Sequence, residues 1–449
     1  MTLPTQIPEN ATPAGGMRSF YIIWLGELIS ILGSGLTGFA LAVNIYQKTH
    51  QATPFALTVL FGTLPTILLL PVAGSLADRW NRRWIMILAD TGAALATLGA
   101  ALILFFGDLQ IWHIYLISAV EAVCAAFQEP AYTASITMLV PKKELTRASG
   151  MVQMGQALQS IVTPLIAGFV FVAIGMQGVI LIDFATYFFA IAALLIVHIP
   201  QPEIQTETGV TQGGFRRVLS DTSFGWKYLR ARPGLLGLLG YIAMVNFLLN
   251  FSSVLSGPLI LARNPASVLG IVQMVAGISM LLGGIAISVW GGPKQGRRIP
   301  LVIGMIGVSM TGLVVTGIQP QPLFICAGLF IMIFFVPIAT GLNQAVWQTK
   351  VAPDVQGRIF SIKAMISRSM MPLAFLIAGP LADHFFEPML RSGGALANTF
   401  IGRVLQSGPG RGIGLMFVLS GLVGVIVTIL VYANKHIRLL EDEIPDSGV

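Results

Sequence analysis

Apolar runs of roughly 20 residues recur along the chain between residues 20 and 433, separated by short turns rich in Gly, Pro and charge. A run of that length crosses a hydrocarbon core of about 30 Å as a helix. Lipid offers the backbone no hydrogen-bond partner, so the runs are predicted to be helices, each pairing its own main-chain groups. The breaks divide them into twelve predicted spans. The first half holds 20–46, 54–77, 84–106, 111–128, 149–174 and 178–199, and the second 235–261, 267–290, 300–318, 323–348, 359–386 and 412–432. The expected organisation is a tail over 1–18, a six-helix bundle over 19–199, a polar linker over 200–233, a second six-helix bundle over 234–434 and a tail over 435–449. Residues 1–16 are polar and Pro-rich. The apolar run behind them is too long for a signal-peptide core, so the first span is expected to be retained.

Charge orients this pattern. If the N-terminus lies inside, the turns holding Arg82 and Arg83, Lys142 and Lys143, Arg297 and Arg298, and Lys350, Arg358 and Lys363 all face the cytoplasm, together with the linker. Of the 26 Lys and Arg, only Lys48, Arg263, Arg391, Arg403 and Arg411 then face outward. Basic loops resist translocation, so an even number of spans with both termini in the cytoplasm is expected. The net charge of +7 is thereby a feature of topology and gives no reason to expect a nucleic-acid partner.

The halves also repeat. Arg147 is followed after eighteen residues by Leu165-Ile166-Ala167-Gly168, and Arg358 at the same offset by Leu376-Ile377-Ala378-Gly379. Arg82-Arg83 precedes the third span as Arg297-Arg298 precedes the ninth. Span 5 therefore pairs with span 11, and span 3 with span 9, as in a transporter built from two parallel repeats.

Composition narrows the function classes. Hydrophobic residues make up 55% of the chain and charged ones 10%, against about 25% charged in a soluble domain. A soluble fold could not hide so much apolar surface. Cys124 and Cys326 fall inside apolar runs without metal-ligand spacing and read as packing residues. Neither a G-x-x-x-x-G-K-[ST] loop nor an H-E-x-x-H pair occurs, which argues against an ATP-driven pump or a metalloenzyme.

The turn after span 2 reads Gly74-Ser75-Leu76-Ala77-Asp78-Arg79-Trp80-Asn81-Arg82-Arg83. It resembles the major facilitator superfamily signature G-x-x-x-D-R-x-G-R-R/K, with Asn81 in place of the inner glycine. Span 5 carries Gly150, Pro164 and Gly168 at the spacing of the motif associated with exporters of that superfamily, while Gln159, Thr163 and Ala167 stand where it has glycines. Met86 through Asp90, Pro130 through Pro141, Leu181-Ile182-Asp183 and Gly357 through Ser361 resemble the macrolide efflux proteins and related siderophore exporters within the superfamily. The resemblance implies an all-α fold of two pseudo-symmetric six-helix bundles in the bacterial cell membrane. It further implies proton-coupled efflux of an amphipathic small molecule by a monomer, driven by the proton gradient without a cofactor. A dedicated exporter of an endogenous metabolite, such as a siderophore, remains the alternative.

Ionisable groups inside the spans carry the site hypotheses, because a charge at mid-helix costs about 2.5–3.5 kcal/mol on insertion scales. Glu27 in span 1 and Glu121 in span 4 are the leading candidates for carrying protons or binding a cationic drug; carboxyls held by interhelical hydrogen bonds are the bland alternative. Asp90 and Asp183 lie within about two turns of a membrane face, and structural roles are favoured for both. Arg368, nearly three turns into span 11, either neutralises an acid or points into a cavity. Glu129 at the cytoplasmic end of span 4 is a candidate to join Asp78, Arg79, Arg82, Arg83 and Arg358 in a gating network, with ordinary loop salt bridges as the bland alternative. Asn246, Asn250, Asn343 and Gln344 are candidates for pocket polarity or, equally, for helix-to-helix bonding, since an amide in hydrocarbon seeks a partner.

Overall fold

A computed structural model describes residues 16–197, 199, 226–293, 297–352 and 355–443. Most of the expected linker and the outer parts of both tails lie outside these residues. Among the described residues there are helices and no strands. The longer helices are α1 (Gly16–Thr49), α2 (Ala52–Phe61), α3 (Leu64–Arg79), α4 (Arg82–Phe106), α5 (Ile111–Leu139), α6 (Leu145–Ile196), α7 (Pro233–Leu261), α8 (Ala266–Trp290), α9 (Arg298–Ile318), α10 (Pro322–Lys350), α11 (Gln356–Leu381) and α12 (Arg411–Ala433), with short helices before α6, between α11 and α12, and after α12.

The expectation of twelve spans meets eleven helical segments that are long and apolar enough to cross a membrane. One of them, α6, runs 52 residues, about 78 Å at 1.5 Å per residue and more than twice a bilayer core. It breaks at Gly175, whose φ of 68° is open to a residue without Cβ. Predicted span 2 is instead two helices, α2 and α3. Pro65 sits in the first turn of α3, where its missing N–H has no intrahelical partner to lose. Phe105, Phe106, Val289 and Leu323 are more than three-quarters exposed, which suits contact with lipid and not with water.

The chain forms two compact units, one from Met1–Leu41 with Phe61–Thr206 and one from Ala42–Leu60 with Glu207–Val449. In the first, α4 packs on α5 and α6, and α3 on α5. In the second, α9 packs on α10 and α12, and α8 on α10. The same scheme thus recurs at the positions that the sequence repeat pairs.

Residues 42–60 count with the second unit, and Asp383 shows how they are held there. Its Oδ1 accepts the main-chain N–H of Ala52 at 2.8 Å and its Oδ2 that of Thr53 at 2.7 Å. These are orphan donors of the first turn of α2, and the carboxylate also meets the positive end of the helix dipole. Asp383→Ala is expected to lower the stability of detergent-solubilised protein by about 1 kcal/mol, read as a fall in the thermal midpoint. An unchanged midpoint would mean that the carboxylate does not act as a cap.

The segment between α11 and α12 is closed by two buried charged side chains. Glu387 accepts the N–H of Gly410 at 3.1 Å and of Ile413 at 2.9 Å. Arg411 donates to the carbonyls of Leu405 at 2.6 Å and of Gly317 and Ile318 at 2.8 Å each. Arg411 therefore satisfies the last carbonyls of α9, which have no partner inside that helix.

Candidate functional site

Polar residues in the first unit lie two turns apart on three neighbouring helices. Glu27 and Ser34 on α1, Asp90 and Thr97 on α4, and Glu121 and Gln128 on α5 are each separated by seven residues. That spacing puts both members of a pair on one helix face, about 10 Å apart along the axis. Because α5 runs antiparallel to its neighbours, the three pairs assemble into two polar layers inside the bundle.

The first layer joins Glu27, Gln128 and Asp90. The side-chain amide Nε2 of Gln128 donates to Glu27 Oε2 at 2.9 Å and also to Asp90 Oδ1. Glu27 Oε1 and Asp90 Oδ2 are buried and have no hydrogen-bond partner among the described residues. The second layer centres on the buried Thr97, whose Oγ1 lies 3.4 Å from both Glu121 Oε1 and Asp183 Oδ2. Ser34 Oγ extends this layer, 3.4 Å from Asp183 Oδ1 and 3.1 Å from the Tyr187 hydroxyl. Glycine makes the approach of α1 to α6 possible here. A Cβ on Gly33 would stand 2.1 Å from Thr186 Oγ1 and 2.9 Å from Asp183 Oδ1.

Hydrogen-bond accounting shows what the layers can do. A hydroxyl has one proton to donate and lone pairs to accept with. Thr97 can therefore donate to one of its two carboxyls and accept from the other, provided the other carries a proton. With one proton shared between Glu121 and Asp183, the Thr97 hydroxyl is bonded on both sides, and that proton changes sides when the protonated acid gives its proton to Thr97 Oγ1 while Thr97 passes its own hydroxyl proton to the other carboxylate. In the first layer the two unpaired oxygens are free positions for protons. The arrangement is suited to holding and relaying protons at membrane depth. Asp90 and Asp183, for which sequence favoured structural roles, are members of the same layers as Glu27 and Glu121.

The second unit contains a cavity of about 350 Å³ between α7, α9, α10 and α11. Asn246, Asn343, Gln344 and Arg368 line it, as does Lys363, which the charge pattern had grouped with the loop cations. Lys363 Nζ donates to Gln344 Oε1 at 3.0 Å and lies 5.1 Å from the ring centre of the buried Trp347. The Trp347 indole N–H donates to Asn343 Oδ1 at 3.1 Å. Asn250 does not line the cavity; its amide bonds back to the Asn246 carbonyl at 2.7 Å within α7.

Residues 23–375 match the family model of the Major Facilitator Superfamily. The chain belongs to that superfamily. It is a multi-pass membrane transporter and not an enzyme. Over 375 residues it is 29% identical to macrolide efflux protein A of Streptococcus pyogenes, an alignment covering 81% of this chain and 89% of the relative. It is 23% identical over 369 residues to the multidrug efflux pump Tap of Mycolicibacterium fortuitum, covering 81% and 88% of the two chains. The fold is similar to that of a bacterial homolog of the human lysosomal transporter Spinster in an inward-facing, unoccupied conformation. The TM-score is 0.66 at 15% identity, over 95% of this chain and 97% of that one.

The superfamily's signature turn is built from main-chain contacts. Gly74 lies in α3 with open space beside it. Asp78 and Arg79 end that helix, and their side chains lie outside the described residues. Asn81, the departure from the signature, is the N-cap of α4, its side-chain oxygen accepting the Trp84 N–H at 3.2 Å. Arg82 donates to the carbonyls of Ala77 at 3.3 Å and Ala134 at 2.8 Å. Arg83 donates to those of Leu194 at 2.7 Å and Leu195 at 2.8 Å, a cation at the negative end of α6. Glu129 and Arg358 are exposed on α5 and α11. Of the span-5 motif, Gly150 is exposed, Pro164 lies inside the first part of α6, and Gly168 is buried one turn on. The same stretch of α6 meets α1 at Trp24, whose indole N–H donates to the Met151 carbonyl at 3.0 Å.

Proposed function

We propose that this superfamily member exports amphipathic small molecules, macrolide-like drugs among them, in exchange for protons by alternating access. The observation that carries the proton coupling is the pair of polar layers in the first unit, where four carboxyls are bridged by Gln128 and Thr97. A purely structural polar contact in lipid seeks full satisfaction, whereas these layers leave two carboxyl oxygens open and one hydroxyl shared between two acids. The relatives named for macrolide and multidrug efflux support the direction of transport and the substrate class. In this reading the protein works as a monomer in the bacterial cell membrane, with both termini on the cytoplasmic side that holds most of its Lys and Arg. The proton gradient drives it, and no cofactor is required.

Everted membrane vesicles acidified inside by respiration test the reading. Adding a macrolide is expected to release protons, seen as recovery of a quenched pH-sensitive dye, in vesicles containing the protein and not in vesicles lacking it. Macrolide uptake without any proton release would reject the exchange.

A further inference from the structure

We infer that the cavity of the second unit binds the anionic group, a carboxylate or a phosphate, of an amphipathic ligand, with Lys363 and Arg368 as its charge partners. Both cations stand on α11 and line the same space, and among the described residues no acidic side chain lines it. A cation at membrane depth is costly unless paired. The Gln344 carbonyl oxygen takes one of the three ammonium N–H bonds of Lys363, and the Trp347 ring presents its face to the nitrogen. Both contacts orient the ammonium without cancelling its charge. The Arg368 guanidinium adds a planar fork of donors matched to a carboxylate or phosphate. Ile242, Phe335 and Phe360 supply apolar wall for the rest of the ligand, and the volume falls within the range of small-molecule sites. The negative charge is therefore left for the ligand to provide. Among amphipathic compounds, the cavity therefore favours an acid over its uncharged counterpart, which adds acidic ligands to the export reading without replacing macrolides. The inference rests on the export reading for the ligand's passage, but not for its binding.

The probe is 11-(dansylamino)undecanoate with its methyl ester as the uncharged match. Binding to the full chain in phosphatidylcholine nanodiscs is followed by dansyl fluorescence, with empty nanodiscs subtracted. The acid is expected to bind at least tenfold more tightly than the ester. Lys363→Gln and Arg368→Gln should each weaken the acid about fivefold or more and leave the ester unchanged, and Lys363→Arg should restore the acid. Competition by added phosphatidylglycerol would assign the anion to a lipid headgroup, and its absence to a soluble acid. Equal affinity of the wild-type protein for acid and ester would overturn the site, and that comparison stands even if a variant fails to fold. No proton gradient is present, so the two readings fail separately. Indifference to charge with intact proton release would reject the anion site alone, and acid binding without proton release would reject export by proton exchange alone.

Discussion

Glu121→Gln is expected to slow proton-driven export on the order of a hundredfold, the scale on which a positioned proton-transfer group contributes to a rate. Glutamine has nearly the shape of glutamate and can still accept the Thr97 hydroxyl proton, so insertion and folding should survive. What it loses is the ability to carry a proton. Asp183→Asn removes the other end of the same bridge and should give a similar loss. Thr97→Val keeps the volume but removes the hydroxyl that lies 3.4 Å from both acids, so it too should uncouple transport. Because the three groups act as one unit, the Glu121→Gln, Asp183→Asn double variant should be no slower than either single variant. The measurement is the initial rate of macrolide uptake into everted vesicles, normalised to the amount of inserted protein. Normal rates in both Glu121→Gln and Thr97→Val would remove the second layer from the mechanism.

The largest stability effect is expected at Arg411. Its side chain is 1% exposed and serves three main-chain carbonyls. Arg411→Met preserves most of the stem but none of the donors, leaving Leu405, Gly317 and Ile318 with buried, unpaired oxygens. An unsatisfied buried group costs about 1–3 kcal/mol, so a total loss on the order of 3 kcal/mol is expected even if the site relaxes. Arg411→Lys keeps a charge but not the fork that reaches two ends of the segment at once, and should fall between the two. Thermal unfolding in detergent orders the three proteins. A midpoint for Arg411→Met equal to that of the wild type would show that water reaches these carbonyls.

Much of the fold can be read from the residues because membrane helices obey few rules. Run length marks the spans and repeated sequence relates the halves. The pairing of span 3 with span 9 is met by the matched packing of α4 on α5 and α6 and of α9 on α10 and α12. Assignment of residues 42–60 to the second unit was not legible, since it depends on Asp383, far away in sequence, reaching the start of α2.

The site was legible where a charge interrupts an apolar run, as at Glu27 and Glu121. Nearness to a membrane face favours structural roles for Asp90 and Asp183 in the sequence, and in the structure both share the layers of Glu27 and Glu121. Yet the recurrence of polar pairs seven residues apart on spans 1, 3 and 4 was present in the sequence as a signal for two layers. Which helices meet, and that Gln128 and Thr97 bridge them, is tertiary information. Two cations show the limit of charge counting. Lys363 was grouped with the loop bases but lines a cavity, reached by a long apolar stem. Arg411 counts as an outward loop cation in the sequence but is buried, because the carbonyls that attract it come from two stretches of chain far apart in sequence, the end of α9 and Leu405.

The central claim is that the four carboxyls of the first unit exchange protons for substrate. Purified protein in liposomes, with an imposed pH difference as the only gradient and a labelled macrolide on the outside, tests it directly. The prediction is accumulation above equilibrium when the lumen is acidic, falling to passive levels when the pH difference is collapsed by an ionophore and in the Glu121→Gln protein. Undiminished accumulation after the collapse, or in Glu121→Gln with the gradient intact, would contradict it.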